Sequence, residues 1–189
     1  MDDLELLERV LDKTGDLVAG VTPDQYDRPT PCPDYDVRAL VNHITGWVQS
    51  FAAGANGNTF DSDPNAYEAG DDPSAEFRAA ASEVLSGWRT HGTDRQVGLA
   101  GGDLPGQMVL NMTIMEYLTH GWDLATATRQ SVPYTEDEAT AALERAQGTL
   151  PPQYRGADQP FGDIVEVPDT APAVDRFIGF MGRDPGSAA

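Results

Sequence analysis

The sequence predicts an all-α protein, a four-helix bundle with additional short C-terminal helices, formed by residues 1–189 as one domain. Long stretches carry apolar residues at the three- and four-residue spacing of amphipathic helices. Almost no stretch shows the apolar–polar alternation of a strand. A chain of 189 residues with 40% hydrophobic side chains is also long enough to bury one sizeable core.

The first two helices are predicted in the N-terminal third of the chain. Residues 3–19 carry leucines and valines at helical spacing, and Gly20 ends this helix. A proline-rich connection follows over 21–36, and Asp36 is the predicted N-cap of the second helix. The apolar stripe of that second helix consists of Val37, Leu40, Val41, Ile44, Trp47, Val48 and Phe51.

A long loop and a third helix come next. Residues 54–72 are rich in Gly, Asn and Asp, which is typical of a loop. Pro73 then begins a helix that runs to about Trp88, because proline suits the first helical turn. A Gly-rich crossover covers 92–106 and contains a short extended piece at Gln96–Leu99.

One long helix and two short ones are predicted in the C-terminal half. The fourth helix covers residues 105–129. Thr135 and Glu138 have the spacing of a capping box, which begins a fifth helix over 136–148. A last short helix is expected within 171–182.

The composition restricts the partners and the compartment. The net charge of −19 argues against nucleic acids and anionic membranes, whose binding needs basic side chains. No apolar run approaches the roughly 18 residues of a membrane span, and the acidic N-terminus is unlike a signal peptide, so we expect a cytoplasmic protein. The single cysteine, Cys32, fits a reducing compartment and is interpreted as a small buried apolar residue.

Three side chains form a candidate metal site. Glu116 and His120 are four residues apart on the fourth helix, so both project from one face, one turn apart. His43 lies between Leu40 and Trp47 on the apolar stripe of the second helix. A carboxylate on an inward stripe needs a partner, and two imidazoles with a cation between them would provide one.

The type of metal follows from the ligand set. Two histidines and one glutamate leave a coordination position open, as catalytic zinc sites do, and we favour zinc. The same set also suits non-haem iron, and imidazoles suit nickel. Asp123, three residues beyond His120, is expected either to accept the second ring N–H of that histidine or to be a fourth ligand. A metal-free bundle, in which His43 and Glu116 form a buried hydrogen bond, is the remaining alternative.

Three segments resemble a known family. TPCPDYDVRALVNHITGW (30–47) resembles the TPC-x-x-W-x-V-R-x-L-x-x-H motif of the DinB-like/mycothiol-dependent maleylpyruvate isomerase N-terminal superfamily, with Tyr35 where Trp is common. MEYLTHGWDLATATRQ (115–130) resembles its E-x-x-x-H-x-W-D-L-A signature. The ending DRFIGFMGRDP (175–185) is similar to the L-x-x-F-x-G-R-D-P of an actinobacterial metal-binding branch.

The resemblance implies a DinB-like four-helix bundle that holds a divalent metal, typically zinc, through His43, Glu116 and His120. It also implies thiol-dependent chemistry, in which the metal presents a small-molecule thiolate, such as that of mycothiol, to an electrophile. The chain has no counterpart of the separate C-terminal domain that helps to hold maleylpyruvate in the isomerase, so that specific activity is not expected.

Two functions from different classes therefore remain. The first is a metal- and thiol-dependent transferase or isomerase acting on a small electrophile, with 54–72 and 92–106 as candidate pocket walls and Arg38 or Arg129 as candidate partners of a substrate carboxylate. The second is a non-catalytic metal-binding sensor or interaction module. The sequence assigns no catalytic residue, and it leaves a homodimer open, because such bundles can pair through an exposed helix face.

Overall fold

A computed structural model describes residues 1–99, 102–156 and 161–188. Its helices are α1 (Asp3–Ala19), α2 (Val37–Ala55), α3 (Pro73–His91), α4 (Gly106–Thr128), α5 (Glu136–Thr149) and α6 (Ala173–Phe180). Two short strands, β1 (Gln96–Leu99) and β2 (Gly102–Pro105), lie between α3 and α4, and 3-10 turns lie at Pro23–Gln25, Pro64–Ala66, Pro152–Tyr154 and Pro185–Ala188. The prediction of an all-α fold with short C-terminal helices is confirmed.

Side-chain caps fix where most of the helices begin. Asp2, Asp36 and Asp72 each accept a hydrogen bond from a backbone N–H in the first turn of α1, α2 and α3. Thr135 and Glu138 form the predicted capping box of α5. These bonds satisfy N–H groups that have no partner within their own helix, so the short polar side chains set the register of each helix.

The four long helices pack around one apolar core. Both α1 and α2 contact α3 and α4. Gly87 lets α3 approach α2 closely, because a Cβ atom there would lie 2.7 Å from the carbonyl carbon of Ala55. The largest fully buried side chains are Trp88, Tyr117, Phe77, Phe177, Leu6, Leu7, Leu11, Leu40, Ile44, Leu110, Ile114 and Met115.

The C-terminal helices cover one side of the bundle. α5 contacts α4 and α6 through a buried face that includes Ala139, Ala142 and Ala146. Within α5 the buried carboxylate of Glu138 accepts a hydrogen bond of 2.5 Å from the Lys13 ammonium on α1. Packing on α4, together with this ion pair, attaches α5 to the main bundle.

The connection between α3 and α4 is an antiparallel β-ribbon. The extended piece predicted at Gln96–Leu99 is confirmed as β1, and it pairs with β2, Val97 lying opposite Leu104. The sequence does not indicate β2, because its Gly, Asp and Pro residues have low strand propensity and only the pairing with β1 orders them. The structure does not describe Ala100 and Gly101. In the described part of the chain, no helix combines the length and apolarity that a membrane crossing requires.

Candidate metal centre

The three predicted ligands lie together where α2 faces α4. Nε2 of His43 lies 2.7 Å from Oε1 of Glu116, and Nε2 of His120 lies 3.5 Å from the same oxygen. One ligand atom from each residue falls within 4.8 Å of the others. The side chains of His43, Glu116 and His120 are 12%, 23% and 10% exposed, so the cluster is shielded but reachable from one side.

His43 is held by Tyr35, in the connection before α2. The Tyr35 hydroxyl lies 2.9 Å from Nδ1 of His43, and the two rings stack at a centroid distance of 4.7 Å. Burial raises the pKa of Tyr35 to about 12, so the phenol keeps its proton. A hydroxyl can both donate and accept, and Tyr35 can therefore support the tautomer of His43 whose Nε2 lone pair is free for a metal. The sequence motif indicates an aromatic residue at this position but not this hydrogen bond.

His120 is held by Asp123, which is fully buried. Oδ2 of Asp123 lies 3.0 Å from Nδ1 of His120, which leaves Nε2 directed toward Glu116. Arg183 neutralises the carboxylate, with Nε donating to Oδ1 at 3.1 Å and Nη2 to Oδ2 at 3.2 Å. Both oxygens of Asp123 therefore have partners in the protein, and the contact with Nδ1 is of the kind by which an outer carboxylate orients a metal-binding histidine.

Neighbouring charges determine the ionisation of the cluster. Burial raises the pKa of Glu116, but the charge of His120 and the hydrogen bond from His43 outweigh it and lower this pKa to about 2. Burial lowers the pKa of His120, whereas Glu116 and Asp123 raise it, and the net direction is upward. Without a metal, the carboxylate of Glu116 thus remains charged and lies against the two imidazoles. A divalent cation between these side chains would bind the carboxylate and one nitrogen of each imidazole.

A cavity of about 390 Å³ opens over this cluster. Its walls come from α2, from α4, from Leu104 of β2, and from the last residue of α5 and the chain that follows it. The residues that line it are His43, Trp47, Phe51, Leu104, Met108, Met112, Met115, Glu116, Thr119, His120, Thr149, Leu150, Tyr154, Phe161, Met181 and Arg183. The metal-ligand candidates and Arg183 therefore form the polar end of a cavity whose wall is mainly apolar.

The residues that line the cavity can be compared with the two predicted pocket walls and with the two candidate partners of a substrate carboxylate. Leu104 lines the cavity, so the 92–106 crossover contributes to its wall as predicted. No residue of 54–72 lines it. That segment packs on α2 near Gly46 instead, where an added Cβ would meet the carbonyl of Pro64. Arg38 lies over the Tyr26 ring at 4.3 Å. Arg129 caps α4 with a φ of 59°. Neither arginine lines the cavity, and the cation that does, Arg183, lies too far along the sequence for any helical spacing to reveal it.

Cys32 is buried, as expected, but it also lies near the centre. Its sulfur, a ligand atom of His120 and one of Asp123 fall within 4.8 Å of one another, which makes a second possible donor group. Burial raises the pKa of the Cys32 thiol. A metal bound there would need a thiolate and would compete with Arg183 for Asp123, so the group of His43, Glu116 and His120 suits a cation better.

Comparison with solved structures defines the class of fold. The structure resembles a DinB-like protein from Bacillus subtilis with a TM-score of 0.54, at 16% identity over 70% of this chain and 96% of that one. It also resembles the mycothiol-dependent maleylpyruvate isomerase, with a TM-score of 0.56 at 15% identity, and its H52A mutant, with 0.53 at 16%. The matches cover 76% and 65% of this chain but only 65% and 59% of the isomerase chains. The chain thus has the DinB-like helical-bundle fold.

Sequence comparison defines the family. Residues 7–125 match the model of the mycothiol maleylpyruvate isomerase N-terminal domain. Two uncharacterized proteins of Mycobacterium tuberculosis, from strains CDC 1551 / Oshkosh and ATCC 25618 / H37Rv, are 32% identical over 97% of this chain and 98% of their own length. The chain belongs to the mycothiol maleylpyruvate isomerase N-terminal domain family. The last six residues that line the cavity, from Thr149 to Arg183, lie beyond the matched region.

Proposed function

We propose that this protein is a metal-dependent enzyme that activates a small-molecule thiol of the mycothiol type and transfers it to, or uses it to isomerise, a small electrophile. The observation that carries this proposal is the position of His43, Glu116 and His120 at the polar end of a 390 Å³ cavity. A set of two imidazoles and one carboxylate beside open space is the arrangement of a catalytic zinc site.

These three residues would hold the metal, with zinc favoured and nickel or iron as alternatives. When bound, a divalent metal supplies a Lewis acid that lowers the pKa of a coordinated thiol or water. The donor set fits such an ion, because each imidazole has a nitrogen directed to the Glu116 carboxylate and a second nitrogen in a hydrogen bond with another residue.

Residues beside the three candidate ligands hold the imidazoles in place and balance the local charge. Tyr35 and Asp123 orient the two imidazoles, and Arg183 offsets the charge of Asp123. The wall of the cavity is mainly apolar, and apolar surroundings strengthen electrostatic interactions at the polar end. The size and apolarity of the cavity favour a bound small molecule, and this supports the enzyme over the non-catalytic sensor or interaction module.

Two measurements test the proposal. Metal content is determined by elemental analysis for the untagged wild type and for His120→Ala, and we expect about one equivalent of zinc in the wild type and a loss in the variant. The protein is then loaded with Co²⁺ and titrated with mycothiol. A new sulfur-to-cobalt charge-transfer absorption supports the thiol role, whereas metal binding without any response to the thiol would contradict it and favour a sensor.

A further inference from the structure

The cavity wall is composed mainly of sulfur and hydrocarbon. All four methionines after Met1, namely Met108, Met112, Met115 and Met181, line it, together with aromatic and leucine side chains. Methionine side chains are unbranched and polarisable, so they adapt to ligands of different shape. A wall of this composition favours an apolar ligand body.

The charges at the polar end are already paired. Among the described residues that line the cavity, Arg183 is the only one with a permanent positive charge, and its guanidinium forms three hydrogen bonds with Asp123. If Arg183 turned to bind a ligand carboxylate, the fully buried Asp123 would lose its counter-charge. Leaving a buried carboxylate unpaired is costly, and the cavity therefore disfavours an anionic ligand body.

One polar side chain of the wall has no hydrogen-bond partner among the residues that the structure describes. Thr119 on α4 is 4% exposed, and its hydroxyl oxygen is buried without a hydrogen bond. The other buried threonines behave differently, since Thr14, Thr45, Thr113 and Thr128 each donate to the carbonyl four residues earlier. A buried hydroxyl without a partner is unfavourable. Thr119 lines the cavity, and because threonine on a helix has two favoured χ1 rotamers, rotation about χ1 can redirect its hydroxyl.

We propose that the cavity binds an uncharged, largely apolar electrophile whose single polar atom, such as a carbonyl or epoxide oxygen, accepts a hydrogen bond from Thr119. This inference names the substrate class of the enzyme proposed above and rests on that function. The Thr119 hydroxyl is thereby a specificity-determining contact at the boundary between the apolar wall and the metal-ligand cluster.

The test uses three probes of similar shape and the full-length protein as purified, with and without chelator. Acetophenone offers a carbonyl acceptor, α-methylstyrene replaces that oxygen by a methylene group, and benzoate adds a negative charge. Dissociation constants are measured by ligand-detected NMR titration. We expect acetophenone to bind wild type about threefold to tenfold more tightly than α-methylstyrene, the range of one net hydrogen bond, and benzoate to bind most weakly.

Thr119→Val removes the hydroxyl and keeps the shape. It should abolish the preference for acetophenone over α-methylstyrene while leaving α-methylstyrene affinity unchanged. Thr113→Val is the matched control, because its hydroxyl is committed to the carbonyl of Val109, and it should keep the preference. The proposal is overturned if no probe binds the wild type, if benzoate binds best in the chelated protein, or if Thr119→Val keeps the preference. The chelated arm does not need a metal, so failure here is distinct from failure to bind zinc or thiol.

Discussion

Arg183, three residues after α6, makes three hydrogen bonds to Asp123 on α4: Nε lies 3.1 Å from Oδ1 and 3.4 Å from Oδ2, and Nη2 lies 3.2 Å from Oδ2. The same carboxylate lies 3.0 Å from Nδ1 of His120. Burial lowers the pKa of Arg183, but the neighbouring carboxylate of Asp123 raises it, and the net direction is upward. This guanidinium therefore stays charged. The chain after α6 thus neutralises the group that orients one of the three candidate metal ligands.

Loss of one partner of the Asp123–Arg183 pair should lower the free energy of unfolding of the protein. Arg183→Met leaves a buried carboxylate without its cation, and we expect it to lower the free energy of unfolding by about 3–5 kcal/mol. The double variant Arg183→Met with Asp123→Asn should recover about 1–3 kcal/mol of that loss, because it contains no unpaired buried charge. The measurement is denaturant unfolding of the chelated protein.

Arg78→Met is the control for this cycle. Arg78 pairs with Asp16 at the surface, where the two side chains are 43% and 78% exposed, so its loss should cost less than about 1 kcal/mol. Equal costs for Arg183→Met and Arg78→Met would contradict a buried, neutralising role for Arg183.

Tyr35 should affect metal affinity more than stability. Tyr35→Phe keeps the ring that stacks on His43 but removes the hydroxyl at Nδ1. Loss of such an outer partner typically weakens metal binding by about 10- to 100-fold. Competition with a chromophoric zinc chelator measures this affinity. Tyr26→Phe, whose ring lies under Arg38, is the control and should bind zinc as the wild type does; a Tyr35→Phe variant with unchanged affinity would show that the hydrogen bond is incidental.

Glu138 should make stability depend on acid pH. Burial raises its pKa, but the Lys13 ammonium and the N–H of Thr135 outweigh this and hold the pKa below the ordinary value of 4.5. Because the folded-state pKa is the lower one, the pairing stabilises the protein above pH 4.5, and this contribution is lost as the pH falls through the folded-state value. Glu138→Gln should therefore be destabilised by about 1–3 kcal/mol at pH 7 and by much less at the acid end.

Unfolding measured from pH 7 to pH 3 tests this dependence. Glu8→Gln is the matched control, since Glu8 pairs with Arg89 where both side chains are about half exposed, and its effect should be small at every pH. A Glu138→Gln deficit that stays constant across the range would mean that packing, and not charge, makes Glu138 stabilising.

Gly121 should tolerate no side chain. A Cβ atom there would lie 1.8 Å from the Tyr134 hydroxyl, which donates a hydrogen bond to the carbonyl of Tyr117. Gly121→Ala should therefore destabilise the protein by about 1–3 kcal/mol or more. At Gly148 on α5, an added Cβ would meet no described atom within 4 Å outside its own helix, so Gly148→Ala should instead stabilise the protein by about 0.5–1 kcal/mol through higher helix propensity. Thermal unfolding measures the stability of both variants. Stability changes of the same sign and size in the two variants would refute the packing argument.

Local spacing predicts the helices and the face of its helix on which each candidate ligand lies. Caps such as Asp36 and the Glu116–His120 interval are encoded within a few residues, and helical periodicity places His43 on the stripe that faces α4. Contacts that join distant segments carry no such signal. The pairing of β2, the approach of Arg183 to Asp123 and the orphaned hydroxyl of Thr119 all arise only once the chain has packed.

Substitution of Cys32 can distinguish the two groups of possible metal ligands. His120 belongs to both, so His120→Ala cannot distinguish them, whereas His43 belongs to one and Cys32 to the other. If the proposed ligands are correct, Cys32→Ala should retain about one equivalent of zinc and His43→Ala should lose it. Elemental analysis of the two variants after extensive dialysis measures this.

The rate at which the Cys32 thiol is modified should also distinguish the two groups of possible ligands. Cys32 is 5% exposed and burial raises its pKa, so iodoacetamide should modify it slowly in the folded protein whether zinc is present or chelated. Denaturant should restore the rate of an ordinary cysteine, which is the control for reagent access. If chelation alone accelerates the modification and Cys32→Ala loses zinc, the metal lies between Cys32, His120 and Asp123, and the ligand assignment proposed here is wrong.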